Sequence, residues 1–132
     1  MIKVNFKRKK SMLVSFHVDG HAEYFDVKQN TTVYDDVVCG SVSNLAQVTI
    51  LGVLEVLKLK PTYIAEEGNI ALDVSKLSQV EIESTQVLLE TMLLGLKSLE
   101  ISYGKYIKVV VEEVQWYVTN KPSVMCSQKR SR

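Results

Sequence analysis

Two long apolar runs repeating at helical spacing, set among shorter runs that alternate residue by residue, constrain this fold most. Between Val37 and about Leu59, Val38, Val42, Leu45, Ala46, Thr49, Val53, Val56 and Leu57 recur every three or four positions, and Val48, Leu51 and Leu54 add a second apolar side. This predicts a helix buried on more than one face. Pro61 marks the region where that helix has stopped. The second run carries Val80, Val87, Leu88, Met92, Leu93, Leu96 and Leu99. It follows Ser78-Gln79-Val80-Glu81, the Ser-x-x-Glu form of a capping box, and ends near Tyr103 and Gly104. Gly52 and Gly95 fall inside these helices at a cost of about 1 kcal/mol each relative to Ala. Close backbone approach between elements is the expected compensation.

The alternating runs supply the strands. Ile2, Val4 and Phe6 alternate with Lys3, Asn5 and Lys7; after Arg8-Lys9-Lys10-Ser11 a second run carries Leu13, Val14, Phe16 and Val18, so the pair reads as a hairpin. Asp19-Gly20 ends it with turn chemistry, and a polar stretch from about Glu23 to Tyr34 has no period and reads as a loop. Tyr63 to Leu72 is a second hairpin with Gly68-Asn69 at or near its turn, and Tyr106 to Trp116 is one strand of strong β propensity. The order is ββαββαβ. We expect an α+β fold, a single antiparallel or mixed sheet with two long helices on one face.

At 132 residues and 46% hydrophobic content, the chain is one domain over about residues 1–120, with a polar, basic tail over 121–132. A formal net charge of +1 exerts no global pull toward nucleic acid or anionic membrane. Lys7-Arg8-Lys9-Lys10 and Lys129-Arg130-Ser131-Arg132 are local basic clusters. Two cysteines, one in the tail, make no disulfide framework and point to a reducing cytoplasm. The alternating start is no signal peptide, and no stretch has the roughly 18 consecutive apolar residues of a membrane span. Surplus apolar surface on the helices suits a homodimer.

The chemistry concentrates at Asp35-Asp36-Val37-Val38-Cys39-Gly40-Ser41-Val42-Ser43, with Gly20-His21-Ala22 upstream. With Asp36 as N-cap, the helix begins near Val37 and Cys39 lies in its first turn, beside unpaired backbone N–H groups and the positive end of the dipole. That setting favours thiolate and supplies oxyanion donors from Cys39 to Ser41. Gly40 leaves the backbone bare for a peptide to approach. His21 follows a strand-ending glycine and is the candidate general base. Asp36 either caps the helix or orients His21; Ser43, one turn beyond Cys39, either faces the site or bonds its own helix. The duller readings are a buried small thiol for Cys39, a structural His17 and a bystander Cys126. Glu66-Glu67 and Glu112-Glu113 read as solvating charge pairs. Cys39 and His21 are too few for a zinc site, and the glycines form no phosphate loop, so no cofactor is expected.

Val18-Asp19-Gly20-His21-Ala22 followed by Asp36-Val37-Val38-Cys39-Gly40-Ser41-Val42-Ser43 resembles the ribosomal-processing cysteine proteases, small dimeric bacterial enzymes. The resemblance implies Cys39 as nucleophile, His21 as general base, and Asp36 and Ser43 in support. It also implies a peptide substrate, the N-terminal extension of a large-subunit ribosomal protein, the twenty-seventh in the standard naming, cleaved beside an aromatic pair. An apolar groove fed by the 23–34 loop would receive it. The chain departs from the family pattern at Glu23-Tyr24, where a second glycine is usual, and in the eighteen positions from His21 to Cys39, a longer loop than the family's. The rival reading is a non-enzymatic, ribosome-associated dimer whose basic clusters touch RNA or protein. A third keeps the fold without activity.

Overall fold

The computed structural model describes residues 1–20 and 32–114, with side chains from Val37 onward in the first helix. Five strands and two long helices follow in the expected order: β1 (Ile2–Lys9), β2 (Met12–Asp19), α1 (Thr32–Leu51), β3 (Thr62–Glu66), β4 (Asn69–Asp73), α2 (Gln79–Tyr103) and β5 (Ile107–Glu113). They form an α+β fold with one mixed sheet ordered β3-β4-β2-β1-β5. Only the β1–β5 pair is parallel. The expected tail over 121–132 lies outside the described residues.

Alternation in sequence becomes two unlike faces. Ile2, Val4, Phe6, Phe16, Val18, Ile70, Leu72 and Ile107 point to the helices and are buried, with the rings of Phe6 and Phe16 5.8 Å apart. Leu13 and Val14 break the alternation, yet both are buried. A bulge resolves this: the register shifts between Lys7 and Arg8, so Val14 has no partner on β1 and the chain turns both side chains inward. Gln86 of α2 secures the irregular stretch. Leu13 N–H donates to its Oε1 (2.9 Å), while its Nε2 donates to Leu13 C=O (2.8 Å). Nearby, Arg8 donates to Glu90 Oε2 on α2 at 2.7 Å. That hydrogen bond raises the Arg8 pKa.

The β1–β2 turn is tighter than the four-residue basic stretch suggested. Lys9 pairs with Met12, so Lys10 and Ser11 alone make the turn, at φ 51° and 66°. Both are left-handed, as in a type I′ turn, which side chains tolerate poorly. Ser11→Gly is therefore expected to raise stability by about 1 kcal/mol and the thermal midpoint by a few degrees. A thermal melt read by circular dichroism checks it.

The helices agree with the sequence in position but not in every boundary. Ser78 caps α2 as predicted: Glu81 N–H donates to Ser78 Oγ, and Ser78 N–H donates to Glu81 Oε1. After Leu51 the first helix widens into a π-helical turn, Gly52–Val56, and ends before Pro61. Gly52 sits where the helices touch: a Cβ there would lie 2.9 Å from Leu88 Cδ1. The expected compensation is thus present at Gly52. At Gly95 a Cβ would meet Leu45 at an ordinary 3.7 Å.

Two expectations are corrected. Helix α1 begins at Thr32, not near Val37, so the last residues assigned to the loop, Thr32 to Tyr34, are helical and Asp36 lies within the helix. Carboxylates favour the whole first turn, not the cap position alone, so Asp35-Asp36 marked a helix start without fixing it. Secondly, Val37–Val56 is long and apolar enough to cross a membrane by length and composition, despite its interspersed polar residues. Much of that apolarity serves the core, because Val38, Val42, Ala46, Ile50 and Val53 are buried against the sheet.

Candidate active site

At the end of the sheet where β2 finishes and β1 begins, a cleft of about 270 Å³ opens between α1 and the β3–β4 turn. Ile2, Val18 and Gly20 form its floor; α1 contributes Cys39, Gly40, Val42, Ser43 and Gln47; the turn contributes Ala65 through Ile70. Residues far apart in the chain meet here because β2 and β4 are neighbours and α1 crosses them.

Cys39 is half-buried, packed partly against the core and partly lining the cleft. It is neither sealed in the interior nor fully exposed, a setting in which a thiol can meet a substrate. Ser43 and Gln47 follow at four-residue intervals, so all three occupy one stripe of α1 along the cleft wall. Around Gly40 there is open space: a Cβ would meet nothing within 4 Å. The bare backbone expected there does face an approachable surface.

Gly20 closes the other side. Its φ of +93° is left-handed, and a Cβ would lie 2.9 Å from Met1 C=O. Both the conformation and the space require glycine. This fixes the end of β2 within the cleft, and the next residue in the chain is His21.

The structure thus brings Gly20, Cys39, Gly40 and Ser43 to one cleft. Ser41 is half-buried and is not among the lining residues. His21 and the side chain of Asp36 lie outside what is described, as do Cys126 and the 23–31 part of the expected loop. His17 is on the outer face of the sheet, its Nε2 2.7 Å from Asn69 Oδ1, in keeping with a structural role.

One element of the sequence-based chemistry changes. Cys39 is the eighth residue of α1, two turns in, because the helix starts at Thr32. Its amide and those of Gly40 and Ser41 belong to the hydrogen-bonded interior, since only the first four N–H groups of a helix lack partners. The dipole also fades beyond the first turn. The helix end therefore neither activates the thiol nor supplies oxyanion donors from residues 39–41.

Sequence reasoning missed Gln47 and the β3–β4 turn as parts of the cleft. Gln47 had a legible signal, as the third polar or reactive residue at four-residue spacing after Cys39 and Ser43. The turn had none, because only strand order brings it to α1. Among the described residues, no cluster of three or more His, Cys, Asp and Glu could hold a metal.

The family model of the cysteine protease Prp matches residues 1–108, and the chain belongs to that family. Comparison with curated protein sequences finds no match. Among solved structures, SMU.848 from Streptococcus mutans is 24% identical with a TM-score of 0.64, covering 86% of this chain and 96% of its own. The essential ribosomal processing protease Prp from S. aureus, in complex with a substrate peptide, is 18% identical with a TM-score of 0.70, covering 85% and 100%. The same protease with a covalently linked product peptide gives 19% and 0.66, over 85% and 100%. These likenesses establish a shared fold.

Proposed function

We propose that this member of the Prp family is a cytoplasmic endopeptidase that removes the N-terminal extension of a large-subunit ribosomal protein, the twenty-seventh. The observation carrying this reading is that Cys39 and Gly20, the residue before His21, line the same cleft. The candidate nucleophile and the residue that precedes the candidate base thus line one concavity, which supports a pairing of Cys39 with His21 of the kind covalent peptide hydrolysis uses. The related S. aureus protease is a ribosomal processing protease captured with a substrate peptide.

In the mechanism, Cys39 Sγ attacks the scissile carbonyl as a thiolate, and the carbonyl π electrons move onto oxygen. Collapse of that tetrahedral intermediate expels the amine, which takes a proton from His21, and leaves a thioester. His21 then removes a proton from water, whose oxygen displaces Cys39. Pairing with His21 replaces the helix end as the source of thiolate. Ser43 and Gln47 stand on the same wall and are positioned to contact bound peptide. The test is incubation with the extended ribosomal-protein precursor and mass spectrometry of the products. A single cut after the extension supports the reading; an intact precursor sinks it.

The protein acts as a homodimer in this reading. Val80, Val87, Leu94 and Ile101 recur every seven residues along α2 and are 74, 76, 68 and 86% exposed. Together they make an exposed apolar stripe along one side of α2, a surface that a second copy of the chain would cover. Leu94→Glu is expected to halve the mass measured by sedimentation while leaving the circular dichroism spectrum intact. An unchanged mass would remove this face as the interface.

A further inference from the structure

We infer that the open edge of β3 is the docking rail for the substrate, on which an extended peptide adds as a further strand and is led into the Cys39 cleft. This docking mode presupposes the proteolytic reading above and specifies how that site holds its substrate.

Among the described residues, the β3 strand is an edge with one neighbour, β4, and all five of its residues are exposed. Glu66 and Asn69 pair across the two-residue connection Glu67-Gly68, so they form the closing hydrogen-bonded pair of the hairpin. Alternation then assigns the rest of the ladder. Thr62, Ile64 and Glu66 turn their N–H and C=O groups toward β4, whereas those of Tyr63 and Ala65 point off the sheet. No partner for these outward groups is found among the described residues.

The opposite edge is treated differently. On β5, Val109 N–H is covered by the side chain of Glu100, donating to Oε2 at 3.0 Å. Folds commonly blunt an edge with proline, lysine or a bulge. The β3 run Thr62-Tyr63-Ile64-Ala65-Glu66 has neither residue, and its register with β4 is uninterrupted. One amide of the β5 edge is thus covered by a side chain, whereas among the described residues no outward group of β3 is.

The open edge leads to the nucleophile. Ala65 and Glu66 line the cleft that holds Cys39. Tyr63 and Ala65 pair with Leu72 and Ile70, whose side chains are buried beneath the helices, so they face the same side as the thiol. An added peptide would direct alternate side chains to that side. The small Ala65 leaves room there, and Tyr63, 46% exposed, offers an aromatic surface. Main-chain bonds to the rail would supply affinity, and the pockets for alternate side chains would supply selectivity.

The experiment measures binding and turnover of a precursor-derived peptide carrying single N-methylated amides. Cys39→Ala protein is used for binding by fluorescence anisotropy, and wild type for cleavage. Sensitivity at every second amide, about three- to tenfold in Kd at each sensitive position, is expected. Ala65→Pro deletes one outward donor while the bonds to β4 come from other residues. It should raise KM about three- to tenfold with kcat little altered and Cys39 alkylation unchanged. A flat N-methyl scan, or no peptide binding at all, overturns the rail. If Ala65→Pro instead dissociates a dimer in sedimentation, the edge belongs to a second copy and the rail is likewise overturned. Binding of two-residue period without cleavage by wild type would defeat the proteolytic reading and leave the rail standing.

Discussion

Replacing Cys39 by alanine is expected to lower precursor cleavage by at least about 10⁴-fold while the fold survives. Removing the nucleophile of a covalent protease leaves only what binding and polar contacts contribute, and in well-studied cases that loss reaches about 10⁶-fold. Survival of the fold follows from position. Cys39 is half-buried at a cleft wall, and the core of α1 rests on Val38, Val42, Ala46 and Ile50. Loss of one sulfur at a partly solvated site costs about 1 kcal/mol, a fraction of the stability of a domain this size. Cleavage rate and a thermal melt on the same preparation check both halves. Undiminished cleavage would remove Cys39 from the mechanism.

His21→Ala is expected to lower kcat about 10²- to 10⁴-fold, the usual range for losing a general acid–base group. It carries a second, independent signature. Because Cys39 lies two turns inside α1, the helix end is no source of thiolate, and the proposed pairing with His21 is what this variant tests. Near pH 6, iodoacetamide should alkylate Cys39 faster than Cys126 in wild type, and the advantage should vanish in His21→Ala. A protonated imidazole stabilises the thiolate, so the advantage fades as the pH rises and both thiols ionise. A kcat loss below tenfold, together with unaltered alkylation, would make His21 a bystander.

Much of the architecture was legible because burial imposes periods on sequence. Ile2, Val4 and Phe6 announce a half-buried strand, and Ser78 with Glu81 announces a helix start through two reciprocal hydrogen bonds. Such signals are local and survive without knowledge of neighbours. The bulge at Val14 was not announced, although two adjacent apolar residues in an alternating run were its trace. Helix α1 shows the limit of local reasoning, since carboxylates suit several positions near an N-terminus and the helix extends past the expected cap.

For the site, sequence by itself determined the chemical inventory: one thiol set between glycine and an acidic pair, and one histidine after a turn glycine. Only the tertiary structure decided that Gly20, Cys39 and the β3–β4 turn share a cleft, because strand order joins segments nearly fifty residues apart and no local pattern encodes that adjacency. It alone also decided that the thiol stands two turns inside its helix, and that, among the described residues, Glu100 covers an amide on one sheet edge while the other edge, β3, ends at the cleft. Composition fixes which groups are available for chemistry; the long-range pairing of strands fixes which of them meet.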